Sequence, residues 1–73
     1  METLLSILSE LHPEVDFMRE ERLVEGGILD SFDIVTIVAE VDASYGVMIP
    51  PEELTPENFQ SARALYGLIA SLL

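Results

Sequence analysis

The chain has 73 residues, no cysteine, and 14 acidic side chains against three arginines and no lysine, a net charge of −11. Length alone allows one domain, residues 1–73, with a modest core. The charge excludes a nucleic-acid-binding surface, which needs a basic footprint, and disfavours anionic membranes. The missing cysteines exclude disulfide staples and thiolate metal sites.

An apolar fraction of 49% is too high for a disordered chain and enough for helical packing to hold it together. The partners expected of so acidic a domain are proteins with basic patches, met by electrostatic steering. No apolar run approaches the length of a bilayer span. Met1-Glu2-Thr3 lacks the positive region of a signal peptide. The expectation is a cytoplasmic monomer.

Thr3 to Leu11 reads as a helix, because Leu4, Ile7, Leu8 and Leu11 recur at the spacing of one helical face. Pro13 ends it near Leu11 or His12. His12, the sole histidine, is placed to complement the partial charge at that helix's C-terminus, and no catalytic role is assigned to it. Residues 13–29 show weak periodicity. Their separated apolar side chains predict a long loop pinned to the core at several points, with Arg19 and Arg22 in surface pairs. Gly26-Gly27 permits a turn just before the next helix.

That helix runs from Asp30 to Tyr45. Ile34, Ile37, Val38, Val41 and Tyr45 form a core stripe about 100° wide. Phe32, Val35 and Ala39 form a second apolar cluster, displaced round the helix by about 60° or more from the edge of that stripe. Asp33 and Glu40 lie on one side of the core stripe and Asp42 on the other. So small a domain cannot bury a helix all round, so part of the second cluster reaches the surface, where it resembles a docking face bordered by acids. Either the long loop covers Phe32 or it is exposed for docking; for Val35, docking is the expectation.

Gly46 suits a left-handed helix stop. Val47-Met48-Ile49 is too short for a strand and reads as a loop folded over the core, stopped by Pro50-Pro51. Thr55-Pro56-Glu57 has the form of a helix start, for a brief helix to about Phe59. Ser61 caps a last helix whose stripe is Ala62, Leu65, Ile69 and Leu72.

The usual catalytic constellations are missing. No Ser/His/Asp arrangement has a credible base, no phosphate-binding glycine pattern occurs, and the acids do not follow a calcium-loop spacing. Neither an enzyme nor a dedicated metal site is expected. Asp30-Ser31-Phe32 is what remains. Free amides at a helix N-terminus favour an anion, and Ser31 lies where a mobile loop meets a helix, within reach of a modifying enzyme. As three letters, Asp30-Ser31 is equally well a helix cap.

Over nearly its whole length the chain resembles the acyl carrier protein family. Leu23 to Phe32 looks like that family's approach and Asp-Ser-[Leu/Phe] attachment motif. Tyr45-Gly46-Val47-Met48-Ile49-Pro50 is similar to the segment that closes its second helix. Pro51 to Phe59 is similar to its acidic loop and short third helix. The resemblance implies an all-α four-helix bundle, three main helices plus a short third one, and a non-enzymatic phosphoprotein. It implies that Ser31, with Asp30 beside it, carries 4′-phosphopantetheine installed from coenzyme A by a phosphopantetheinyl transferase. The arm's thiol then holds an acyl or aminoacyl thioester and presents it to partners at high effective concentration. Those partners are an acyl- or aminoacyl-activating enzyme and a downstream synthase or transferase. By position, Phe32, Val35, Ala39, Met48 and Ile49 become docking contacts, with Asp33 and Glu40 as the acids among them. Ile34-Val35-Thr36 lacks the acid usual in carriers of fatty-acid synthesis. Leu29-Asp30-Ser31-Phe32 is also similar to D-alanyl carriers of cell-wall modification and to other aminoacyl carriers. The alternative of another class is an unmodified acidic adaptor that only binds a partner.

Overall fold

The computed structural model describes all of residues 1–73 and is entirely helical. Helix α1 spans Glu2–Leu11, α2 Ser31–Tyr45, α3 Pro56–Phe59 and α4 Ala62–Leu72, with a 3-10 turn at Pro51–Glu53. Helix α1 packs against α2 and α4, and α3 against α4. This is the four-helix bundle expected, with boundaries within a residue or so of the sequence reading.

Local chemistry explains each boundary. Leu4, Ile7 and Leu8 of α1 are buried. The helix stops at His12, whose backbone is non-helical (φ −139°, ψ 78°) as the following proline requires. Helix α2 opens with a capping box. The Asp33 amide donates to Asp30 Oδ1 at 2.8 Å, and the Asp30 amide donates to Asp33 Oδ2 at 3.4 Å. It closes at Gly46, left-handed at φ 71°, whose amide donates to the Asp42 carbonyl at 2.9 Å. Ser61 Oγ accepts from the Ala64 amide at 3.0 Å and starts α4 as expected. Thr55 stands at the N-cap of α3, but its side chain makes no capping bond. Instead Asn58 Nδ2 donates to the Glu53 carbonyl at 2.8 Å and ties α3 to the 3-10 turn before it. That turn went unforeseen; Pro50 and Pro51 supply the carbonyls that accept from Glu53 and Leu54.

The core draws on every part of the chain, including the segment between α1 and α2. Phe17, Leu23 and Leu29 of that segment are buried, while Val15, Val24 and Ile28 pack against the core from its edge. Gln60 holds the segment down. Its carbonyl accepts from the Leu23 amide at 3.0 Å, and its Oε1 accepts from the Val24 and Glu25 amides at 3.3 and 3.4 Å. The glycine pair is needed here. A Cβ on Gly26 would lie 2.5 Å from the Arg22 carbonyl oxygen, and Gly27 has φ +78°. Of the arginines expected in surface pairs, Arg19 lies 3.8 Å from Asp16, and Arg22 has no carboxylate within bonding reach.

Val47 and Ile49 point into the core and Met48 points out. This corrects one docking expectation. Ile49 is 3% exposed and supports the loop from beneath; it offers no surface to a partner. Alternation along an extended segment puts neighbouring side chains on opposite sides, so Met48 and Ile49 cannot share a face.

Candidate functional site at the head of helix α2

Ser31 is the first residue of α2 and is exposed. Asp30, extended at φ −104° and ψ −177°, turns the chain into the helix and leaves the serine at its outer rim. The amides of Asp33 and Ile34 are used by Asp30. Those of Ser31 and Phe32 have no partner. Two free N–H donors thus flank the serine hydroxyl, on the positive end of a 15-residue helix.

The carboxylates beside Ser31 are both engaged. Asp30 caps the helix. Asp33 Oδ2 accepts from the Asp30 amide and also from His12 Nε2, at 2.8 Å. This contact crosses 21 residues, and the sequence reading missed it. His12 does sit at the end of α1, but its ring turns to α2. Its Nδ1 lies 3.4 Å from Glu14 Oε2. The hydrogen bond to Asp33 raises the His12 pKa above its ordinary 6.5, against an opposing effect of burial, with Glu14 adding to the rise. The same bond holds the Asp33 carboxyl below its ordinary 3.8, also against burial, helped by the Asp30 amide. Asp33 is therefore a structural acid, its side chain only 16% exposed. The sequence places Asp33 among the docking acids, and the structure ties its carboxylate to His12. Nothing bonds to Ser31 Oγ, so no base is poised to activate it.

The second apolar cluster is at the surface. Phe32 is 78% exposed, Val35 66% and Met48 74%, and Ala39 and Glu40 are exposed as well. The long loop does not cover Phe32. Its buried anchors, Phe17, Leu23 and Leu29, draw it to the core instead. Met18, one of the apolar side chains expected to pin that loop to the core, is exposed instead. A small hollow of about 60 Å³ lies between that loop and the start of α4, lined by Phe17, Met18 and Arg63 among others. Ligand pockets are typically several hundred Å³. No group of three or more His, Cys, Asp or Glu side chains is arranged so that it could hold a metal ion, and no helix is long and apolar enough to cross a membrane.

An acidic four-helix bundle with a bare serine at the head of its second helix, and an apolar strip running down from it, defines the class of small carrier domains. Comparison with known proteins agrees. The chain is 30% identical over 73 residues to a D-alanyl carrier protein of Streptococcus suis, covering 99% of this chain and 92% of that one. It is 35% identical over 68 residues to aminoacyl carrier protein 2 of Bradyrhizobium diazoefficiens, covering 93% and 75%. It is 36% identical over 67 residues to aminoacyl carrier protein 1 of the same organism, covering 92% and 73%. No family model matches the chain, and no solved structure does. The chain belongs to the family of stand-alone carrier proteins.

Proposed function

We propose that this carrier protein bears 4′-phosphopantetheine on Ser31 and carries an acyl or aminoacyl group on it. The observation that carries the reading is the exposed Ser31 hydroxyl beside the two unpartnered amides of Ser31 and Phe32. A phosphodiester at Ser31 Oγ fits there, since the amides and the helix dipole both favour an anion and no side chain blocks the hydroxyl. When bound, the arm supplies a thiol that holds the cargo as a thioester. The chain's own part is to anchor the arm, keep the serine on a rigid helix end and offer a docking strip. Asp30 holds the first turn in place, and catalysis is left to the partners.

Those partners are a phosphopantetheinyl transferase, an activating enzyme that loads the cargo and an enzyme that takes it onward. Phe32, Val35, Ala39 and Met48 form the apolar contact, with Glu40 as a bordering acid. The relatives named for D-alanyl and aminoacyl groups favour an aminoacyl cargo over a fatty acyl chain. The carrier works in the cytoplasm as a monomer.

Intact mass tests the proposal directly. Wild type and Ser31→Ala are incubated with coenzyme A, magnesium and a transferase of broad specificity. A gain of one phosphopantetheine in the wild type alone is expected. No gain in folded wild type refutes the reading, and the acidic adaptor then stands in its place.

A further inference from the structure

We infer that His12 is a positioning residue for the modification of Ser31, bracing the first turn of α2 against the end of α1 and neutralising the acids beside the serine. This rests on the reading of Ser31 as the attachment site.

The geometry is a closed ring with one outside tie. Asp30 and Asp33 bond reciprocally through side chain and amide, with Ser31 and Phe32 between them. The Ser31 and Phe32 side chains are exposed and hold nothing. On one side the turn is fixed by Leu29, buried just before it. On the other, the polar tie to the rest of the bundle is His12 Nε2 to Asp33 Oδ2 at 2.8 Å. Losing His12 leaves the capping box intact but free to shift against α1.

Charge makes the second argument. Asp30 and Asp33 place two carboxylates within two residues of Ser31, and a phosphodiester there adds a third negative charge. No basic residue occurs between Leu23 and Ala62, and no arginine pairs with either aspartate. His12 is the cation that reaches this turn. The charged groups facing it are Asp33, and Asp30 behind it, from α2, and Glu14 from the segment after α1; none is basic. When His12 loses its proton, Nδ1 presents a lone pair to the Glu14 carboxylate and the turn loses its only counter-charge.

The test uses full-length wild type, His12→Ala and His12→Gln with one transferase and coenzyme A. At pH 6, His12→Ala is expected to raise the KM for the carrier about fivefold with little change in kcat, the worth of one part-exposed charge-assisted hydrogen bond. His12→Gln, which keeps a side-chain N–H donor without the charge, recovers part of that loss. The ratio of variant to wild-type KM falls towards one as pH rises through the His12 pKa, read independently from its ring proton by NMR. In the wild type without any transferase, the Phe32 and Asp33 amide signals titrate with that same midpoint. Equal KM values and pH profiles for all three proteins overturn the positioning role while leaving the carrier reading intact, as do Phe32 and Asp33 signals that ignore His12. Absence of modification in the wild type refutes the reading of Ser31 itself, and the role proposed for His12 falls with it.

Discussion

Replacing Val35 by aspartate separates docking from folding. The side chain is 66% exposed in the free protein, so about two-thirds of its surface remains for a partner to cover. Full burial of a valine side chain is worth about 1.5–3 kcal/mol, which leaves about 1–2 kcal/mol at stake in docking. An aspartate pressed into the same contact adds a desolvation cost, and the sum reaches about 2 kcal/mol or more, roughly 30-fold in affinity. The fold has little to lose. Valine and aspartate have similar helix propensity, and an exposed position changes stability by about 0.5 kcal/mol at most. The assay is the KM of loading by the transferase, paired with urea unfolding followed by circular dichroism. Val35→Ala is the companion, since a partner's basic rim could attract the new carboxylate. It removes only apolar area and is expected to cost about 1 kcal/mol of docking. Unchanged KM for both variants, with native dichroism and unfolding midpoint, refutes a docking role for the strip.

Other expectations follow from the same geometry. Gly67 is exposed within α4, and a Cβ there meets nothing within 4 Å. Gly67→Ala should therefore stabilise by about 1 kcal/mol and raise Tm by about 4–8 °C, whereas Gly46→Ala, forced to φ +71°, should lower it; a lowered Tm for Gly67→Ala sinks the first argument, and an unchanged or raised Tm for Gly46→Ala sinks the second. Added salt or magnesium should raise Tm by screening self-repulsion at net −11, and a flat Tm from low to moderate salt counts against this. The His12–Asp33 pair makes stability depend on pH in a defined direction. His12 has a raised pKa, so its contribution is complete below 6.5 and is lost as pH rises through the folded value. Asp33 has a lowered one, so its contribution is present above 3.8 and is lost as pH falls through the folded value. The stability gap between wild type and His12→Gln should be widest between those limits and should narrow on the alkaline side; a gap unchanged by pH contradicts the pairing.

Much of the site is encoded locally. Helix caps join residues three or four apart, so Asp30, Gly46 and Ser61 could be assigned from neighbours along the chain. The α1 stripe of Leu4, Ile7 and Leu8 follows from helical period alone. Ser31 at the head of α2, and an apolar cluster too wide for a small core to cover, come from the same two sources. The family resemblance added what local chemistry leaves open, since an Asp-Ser pair caps a helix whether or not it is modified.

Contacts between distant segments were not legible. His12 lies 21 residues from Asp33, and Gln60 lies 36 from Val24. Each residue type has many possible partners, and only the docking of α1 on α2 and of the long loop on the end of α3 selects among them. The same holds for exposure. Met48 and Ile49 are alike in hydropathy, yet one faces solvent and the other the core, because the path of the loop over the bundle decides which side is inward. The sequence by itself determined where helices start, stop and turn an apolar face, since those depend on bonds and spacings within one turn. The tertiary structure decided that Phe32 is free, that Asp33 belongs to His12 and that Ile49 is inside, because each depends on what another part of the chain brings alongside.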